Sequence, residues 1–337
     1  MKQVTILIVL ALTVALLAVA NLLWGSLSIP IEDVWRILCG EEIEGHASWT
    51  YIIRQSRVPQ MITAILCGAS LSTCGLMLQT TFRNPLAGPS ILGIDSGANL
   101  AVAIVMLLLG GTVTLGSLSI AGYLLVVMAA MVGALCIMML LMLLSRILHS
   151  KVMLLITGVI ISYVTGSIIQ LLNYTATEEG VHSFILWGMG NFSNVSMDRL
   201  PLFSLLILIG LFMALLMIKP LDALLLGDRY AQNLGIRIQR VRQGLLLITG
   251  ILTATTTAFC GPISFLGLAV PHIARLTLGT SIHRVLLPGA MLMGAILTLI
   301  CNLLSTLPRN GSLIPINVIT PIIGSPVILY VILKRDK

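Results

Sequence analysis

Few side chains in this 337-residue sequence could carry out chemistry, and they are not grouped. His272 and Arg275 in "VPHIAR" are one helical turn apart, but no carboxylate accompanies them. None of the lysines follows a glycine, so the phosphate-binding loop GxxxxGK(S/T) of an ATPase is absent. The six cysteines form no CxxC pair, and most lie in apolar segments, where a thiol behaves as a small hydrophobic group. The sequence therefore predicts no catalytic residue, no metal site and no cofactor bound by this chain.

A transporter driven by an ion gradient would carry ionisable side chains inside the membrane, to bind the ion or relay protons. Asp95 comes nearest to this, but it lies at the edge of an apolar segment beside a turn rich in glycine and proline. An ion-coupled carrier is therefore a disfavoured alternative. A structural or receptor subunit in the membrane is a second alternative.

One polar stretch, "LGDRYAQNLGIRIQRVR" at residues 226–242, interrupts this apolar chain. It holds four arginines, whereas charged residues make up 9% of the whole protein. Leu226, Ala231 and Leu234 give it an apolar face close to helical spacing. Such a short helix should dock on another part of the protein, on lipid or on a partner, although a solvated basic loop is the simpler alternative.

The elements that must position these residues are membrane-spanning helices. Hydrophobic residues make up 58% of the chain, its mean hydropathy is +1.07, and about 20 apolar residues suffice to cross a bilayer. Uncharged stretches recur along the chain, at residues 3–31, 58–82, 96–145, 152–177, 200–218, 243–274, 285–308 and 310–333. Glycine and proline divide the two longest, with a tight turn at 109–117 and a broken helix at 260–264. We predict an all-α polytopic membrane protein with about ten transmembrane helices, forming a single domain over residues 1–337 with an insert at about 221–242.

The basic residues predict how the chain is oriented. The first apolar run continues through "NLLWG", so it is predicted as a crossing and not as a cleaved signal peptide. If the N-terminus is cytoplasmic, 14 of the 19 basic residues fall inside and the remaining 5 outside. Insertion favours that excess of Lys and Arg on the cytoplasmic side. Both termini and residues 226–242 are therefore predicted in the cytoplasm, and the net charge of +7 indicates topology instead of a nucleic-acid surface.

Four blocks, in order along nearly the whole chain, resemble one family. They are "SRVPQMITAILCGASLSTCGLMLQTTFRNPLAGPSILGIDSGA" (56–98), "LGDRYAQNLGI" (226–236), "GPISFLGLAVPHIARLTLGTSIHRVLLPGAMLMGA" (261–295) and "IPINVITPIIGSPVILYVILKR" (314–335). The sequence resembles the permease subunits of ATP-binding-cassette importers for iron-siderophore complexes, haem and vitamin B12, the type II importers.

The resemblance implies partners and roles for individual residues. The partners are a second permease copy, usually as a homodimer, two ATPase subunits that use ATP and Mg, an extracytoplasmic substrate-binding protein, and the lipid of a bacterial inner membrane. The coupling helices that dock on the ATPase would comprise Leu226, Gly227, Asp228, Ala231, Leu234 and Gly235. Docking of the binding protein would fall to Arg57, helped by Arg54 and Arg309. The cytoplasmic path or gate would include Asn84, Pro85 and Ser150, with Gln79 either on the path or in an interhelical hydrogen bond.

The sequence departs from the family pattern at several of these places. The second arginine of an "R-x-P-R" stretch is Gln60, and the Asp and Arg of "A-D-x-x-A-R" are Asn302 and Thr306. Asn317 stands where "L-P-V-G" has its glycine. These changes leave the fold prediction intact and predict docking salt bridges that differ from those of the family. The predicted function is that of a non-enzymatic permease subunit that imports a metal chelate. A ferric siderophore is the first candidate for the substrate, and haem or cobalamin is the next.

Overall fold

The computed structural model describes residues 2–25, 27–41, 43, 46–110, 112–115, 118–148, 150–307 and 313–335. Within these ranges the chain is helical apart from one β-hairpin and the connecting turns. The helices are α1 Lys2–Leu23, α2 Ile31–Cys39, α3 Ala47–Tyr51, α4 Val58–Phe82, α5 Ile94–Ala103, α6 Tyr123–Ile147, α7 Lys151–Thr175, α8 Glu178–Gly188, α9 Leu200–Leu216, α10 Ile218–Leu226, α11 Asp228–Asn233, α12 Ile238–Cys260, α13 Leu266–Leu278, α14 His283–Ser305 and α15 Ile316–Arg335. Two π-helical segments, Ile52–Arg57 and Ile104–Leu108, lead into α4 and extend α5.

The membrane character of the chain is confirmed. Six of the described helices are long and apolar enough to cross a bilayer, and a seventh span results if α9 and α10, bent by 45° at their junction, are taken together. Three further apolar helices are shorter, over Ile94–Leu108, Leu266–Leu278 and Ile316–Tyr330. The predicted number of about ten is therefore not established by helix length.

The predicted tight turn at 109–117 is a two-stranded antiparallel hairpin, an exception to the all-α prediction. Strand β1 (Thr112–Leu115) pairs with β2 (Leu118–Ala121), with Thr112 opposite Ala121. The β-branched residues of "TVTL" favour an extended backbone, which explains why the turn lengthens into a hairpin. The break predicted at 260–264 is present between α12 and α13.

Helix α4 occupies the centre of the bundle, packed against α14, α12, α13 and α9. Small residues allow the close approach, because a Cβ on Gly68 or Gly294 would collide with the backbone of the facing helix, and Gly75 meets Gly267 in the same way. The α4–α14 and α4–α13 contacts are therefore backbone against backbone. By contrast, α1 and α7 leave most of their apolar surface uncovered in the single chain.

Candidate coupling surface and transport path

The polar stretch at 226–242 forms parts of three elements, α10, α11 and the start of α12. Gly227 joins α10 to α11 with φ 117° and ψ 152°, and Gly235 follows α11 with φ 82°. Both conformations favour glycine, so each residue fixes a sharp change of direction. Around these turns, Leu226, Tyr230 and Leu234 are 63%, 68% and 64% exposed. They form an apolar patch that the chain itself does not cover, which we call the α11 patch.

Ala231 does not belong to the α11 patch. Its side chain is fully buried within the protein. The prediction that Ala231 contacts an ATPase is therefore wrong, because the inner face of α11 packs against its own chain. Tyr230, which the sequence prediction did not include among the docking residues, takes its place on the outer face.

Helix α10 is fixed to the bundle by a polar chain that the sequence analysis missed. Asp222 Oδ1 accepts hydrogen bonds from the backbone N of His283 at 2.6 Å and pairs with its Nδ1 at 2.9 Å. The Nε2 of His283 lies 2.8 Å from Thr80 Oγ1 on α4. Asp222 thus satisfies the first turn of α14 from a neighbouring helix. The sequence signal was only an Asp and a His near two predicted helix ends, which does not reveal that they meet.

Further contacts gather the ends of several helices around α10 and α11. Arg83 donates from Nη2 to the carbonyl of Leu224 at 2.9 Å. Gln239 donates to the carbonyl of Ser145 at 2.7 Å, which joins α12 to α6. Helix α11 contacts both α10 and α12, so the ends of α4, α6, α10 and α12 lie together. We call this the α11 end of the bundle.

The α11 end also contains an ion pair. Lys151 Nζ lies 2.9 Å from Asp228 Oδ1, joining α7 to α11, and the two side chains are 18% and 36% exposed. Asp228, predicted to contact the ATPase, is therefore also paired with a residue of its own chain.

The predicted gate segment follows α4 directly. Asn84 accepts a hydrogen bond from the backbone N of Leu86 at 2.9 Å, and the carbonyl of Pro85 lies 3.0 Å from His272 Nε2 on α13. Leu86 is 44% exposed, whereas residues 87–89 are buried. The turn therefore ends α4 and holds α13, and its exposed tip is free to contact other molecules.

Gln79 and Ser150 have identifiable structural partners. Gln79 is buried, donates to the carbonyl of Leu268 at 3.2 Å and accepts from Arg275 Nη1 at 2.6 Å. These bonds match the interhelical alternative for Gln79. Ser150 is the exposed N-cap of α7 and accepts from the backbone N of Met153 at 3.4 Å.

The arginines predicted to dock the binding protein are engaged elsewhere. Arg57 is 6% exposed and donates from Nη1 to the carbonyl of Leu22 at 2.7 Å, with a further bond from Nη2 to that of Leu27. Arg57 therefore binds the C-terminal end of α1, and its placement on the docking surface is wrong in this structure. Arg54 donates to the carbonyl of Ile37 at 2.9 Å, which ties α2 to the chain entering α4, and Arg309 lies outside the described residues.

Two of the departures from the family pattern contact each other. Gln60 Nε2 donates to Asn302 Oδ1 at 2.9 Å, and Asn302 Nδ2 donates to Asn21 Oδ1 at 2.8 Å. All three side chains are buried, and they join α4, α14 and α1. This amide chain (Gln60, Asn302 and Asn21) stabilises a three-helix contact without any charge.

Another departure, Asn317, holds the break between α12 and α13 in place. Its Nδ2 donates to the carbonyls of Gly188 and Pro262 at 3.0 and 2.6 Å, and its Oδ1 accepts from the backbone N of Ser264 at 3.0 Å. Non-helical backbone at membrane depth needs such partners, because lipid offers none. A glycine at this position could not make these three bonds.

Asp95 is buried in the first turn of α5, and both of its oxygens accept hydrogen bonds. Ser90 donates to Oδ2 and Thr257 to Oδ1, each at 2.8 Å. The carboxylate therefore connects the gate segment, α5 and α12. Its hydroxyl partners give it a structural role, and in the described part of the chain no group of three or more His, Cys, Asp or Glu side chains could hold a metal ion.

An open cavity of about 720 Å³ lies at the opposite end of the bundle from the α11 patch. It lies between the start of α6, helix α8 and the start of α15. Hydroxyl, amide and aromatic side chains line it, among them Tyr123, Thr177, Trp187, Asn191, Asn194 and Ser305. Its volume falls within the roughly 300–1,000 Å³ typical of small-molecule sites.

Comparisons with known proteins agree with this architecture. A model of the FecCD transport family matches residues 11–334. The chain is 32% identical to the hemin transport system permease protein HmuU of Yersinia pestis, over 97% of this chain and 94% of the relative. It is 31% identical to the Fe(3+) dicitrate transport system permease protein FecD of Escherichia coli K12, over 98% and 99%. It is 32% identical to the vitamin B12 import system permease protein BtuC of Salmonella arizonae, over 93% and 94%.

A solved structure shares the fold. It is an inward-facing conformation of a transporter assigned to the metal-chelate type of ATP-binding-cassette proteins, and it superposes with a TM-score of 0.84 at 28% identity, covering 98% of this chain and 99% of that one. The chain is thus a multi-pass transport permease and not an enzyme. It belongs to the FecCD transport family.

Proposed function

We propose that this chain is the permease subunit of an ATP-binding-cassette importer that carries a metal chelate inward across the bacterial inner membrane. Two separate ATPase subunits would supply the energy, using ATP and Mg, and this chain would bind no cofactor. A second copy of the permease would complete the path as a homodimer, within the lipid bilayer. An extracytoplasmic protein would deliver the cargo to the end that holds the 720 Å³ cavity.

The α11 patch is the observation that carries this proposal. Three large apolar side chains, Leu226, Tyr230 and Leu234, are exposed on the short helices α10 and α11 or directly after them, outside the predicted crossings. Burying one such side chain is worth about 1.5–3 kcal/mol, so the patch favours a protein partner over water. Asp222 and Arg83 fix α10 to the bundle, so a partner seated on the patch would push against a firmly held element.

Replacing Leu234 with Asp should abolish this docking. The charge would enter the centre of the apolar patch, so we expect the variant to insert in the membrane but to lose copurification with its ATPase and transport. Gly235→Val should have a similar effect because residue 235 has a positive φ that a β-branched side chain avoids, although the space around it is open. Copurification assays on assembled complexes would measure both.

The matched control is Asn233→Asp, which adds the same charge one residue earlier without removing apolar surface. It should bind the ATPase far better than Leu234→Asp. Normal copurification and transport for Leu234→Asp and Gly235→Val would leave 226–242 as a solvated basic loop and remove the proposal's support.

Within the class of metal chelates, we propose a ferric siderophore as the cargo, with haem and cobalamin as alternatives. The names of the relatives, which mention hemin, Fe(3+) dicitrate and vitamin B12, support the class without choosing among its members. Uptake of a radiolabelled ferric siderophore, haem and cobalamin into liposomes that hold the assembled complex would decide. Uptake of none of the three, with ATPase and binding protein present, would contradict the proposal.

A further inference from the structure

Helix α7 is held loosely along most of its length. It packs against α5 and the π-helical extension of α5, with a smaller contact to α6. Only 22% of its most apolar 18-residue stretch is buried within the chain. Tyr163 and Tyr174, for example, are 75% and 88% exposed. A helix with so little of its surface packed against its own chain can tilt without disrupting the core of that chain.

One point of α7 is packed closely. A Cβ added to Gly158 would lie 2.7 Å from the carbonyl oxygen of Ile91 and from Cα of Leu92, so the helix rests against backbone there. One turn further on, Ser96 Oγ donates to Ser162 Oγ at 3.0 Å. These contacts hold α7 to the segment that follows the gate turn, and they form a fixed point about which the helix can rotate.

The other firm connection of α7 is at its first residue. Lys151 pairs with Asp228 at 2.9 Å, and because the two side chains are 18% and 36% exposed, the pair is partly shielded from the solvent that weakens surface ion pairs. Asp228 begins α11, directly after Gly227, so the ion pair joins α7 to the helix that carries the α11 patch. Among the residues that the structure describes, no other ion pair links these two elements.

We propose that the Lys151–Asp228 ion pair transmits displacement of α11 to α7, with Gly158 as the pivot. The inference rests on the proposed function, because it requires a partner that moves α11. At about 1.5 Å per residue, Lys151 lies roughly 10 Å from the pivot and Thr175 roughly 25 Å from it. A movement of about 1 Å at Lys151 would therefore shift the far end of α7, which lies beside the cavity, by about 2.5 Å in the opposite direction. Lys151 acts through α7 and is a positioning residue.

The test separates ATP hydrolysis from transport. Lys151→Met removes the charge and keeps much of the side-chain length, and Lys151→Arg retains the charge. Each variant is assembled with its ATPase and binding protein in liposomes. The readout is the ratio of radiolabelled chelate transported to ATP hydrolysed, measured with the ferric siderophore, haem or cobalamin that the unmutated complex carries. We expect Lys151→Met to copurify with the ATPase and hydrolyse ATP normally while this ratio falls by at least about fivefold, the lower end for coupling between sites. Lys151→Arg should retain most of it.

The control is Arg36→Met, which breaks the exposed pair between Arg36 and Glu41 at 3.6 Å near α2 and should leave the ratio unchanged. An unchanged ratio in Lys151→Met, or an equal loss in Lys151→Met and Lys151→Arg, would overturn the inference. Failure of the unmutated chain to bind an ATPase would instead refute the proposed function itself.

Discussion

Asn302 illustrates what single residues contribute to this protein. In the sequence, Gln60 and Asn302 stand out separately as neutral residues where the family pattern has Arg and Asp. The structure places them in one hydrogen bond, although 242 residues separate them along the chain. Spacing in the sequence could not predict this contact, because it depends on how α4 and α14 pack. The two neutral residues therefore act together in this chain, as donor and acceptor of one hydrogen bond.

The amide chain makes a prediction at this scale. Asn302→Leu removes the partner of both Gln60 and Asn21, and a buried polar group left unsatisfied costs about 1–3 kcal/mol. Asn302→Asp should be at least as harmful, because it buries an unpaired charge. Adding Gln60→Arg to Asn302→Asp should recover much of the lost stability. Thermal unfolding midpoints in detergent would measure the series, and a double variant no more stable than Asn302→Asp alone would argue against the pairing.

At the scale of elements, periodicity predicted a helical polar insert but not how it is divided or which side faces outward. The insert breaks at Gly227 and Gly235, and α11 has only six residues. A helix that short makes fewer than two turns, so its apolar positions do not define one face, and Ala231 was placed on the wrong side. Similarly, glycines at 110 and 111 predicted the turn after α5, but the hairpin depends on pairing between β1 and β2.

Gly227 should be more important for the orientation of α11 than for the stability of the bundle. Its φ of 117° and ψ of 152° belong to a region that is essentially restricted to glycine, where another residue costs about 1–3 kcal/mol. A Cβ there would also lie 3.3 Å from Arg83 Nη2. We therefore expect Gly227→Ala to turn α11 away and weaken ATPase copurification, with insertion unaffected.

Gly244→Ala provides the matched control for Gly227→Ala. Gly244 lies within α12, and a Cβ there meets only Met217 Cε at 3.8 Å, so alanine should be tolerated. Equal copurification of the two variants would show that the conformation at Gly227 does not orient the docking surface.

At the scale of the whole molecule, hydropathy was sufficient to predict a multi-pass membrane protein, because long uncharged stretches have few other uses. It could not fix the number of crossings. Helices α5 and α13 are short and begin at broken segments. There the buried Asp95 accepts from hydroxyl groups, and the partly buried Asn317 bonds to non-helical backbone. Nor could it separate lipid-facing from partner-facing surface, because both kinds are apolar and exposed in a single chain.

The contacts at the α11 end support the predicted orientation, in which this end of the bundle lies in the cytoplasm. Arg83 bonds to α10, Lys151 pairs with α11, and Gln239 joins α12 beside the C-terminal turn of α6, which holds Arg146. Basic residues distant in sequence are therefore collected at one end of the bundle, and insertion favours such an end in the cytoplasm.

We expect reporter fusions after Gly45 and Gly180 to report outside and a fusion after Lys337 to report inside; Gly45 and Lys337 lie beyond the described ranges. A fusion after Gly235, in the turn that follows α11, should report inside as well. An outside signal at Lys337 or Gly235 would invert the orientation and make the α11 patch inaccessible to a cytoplasmic ATPase.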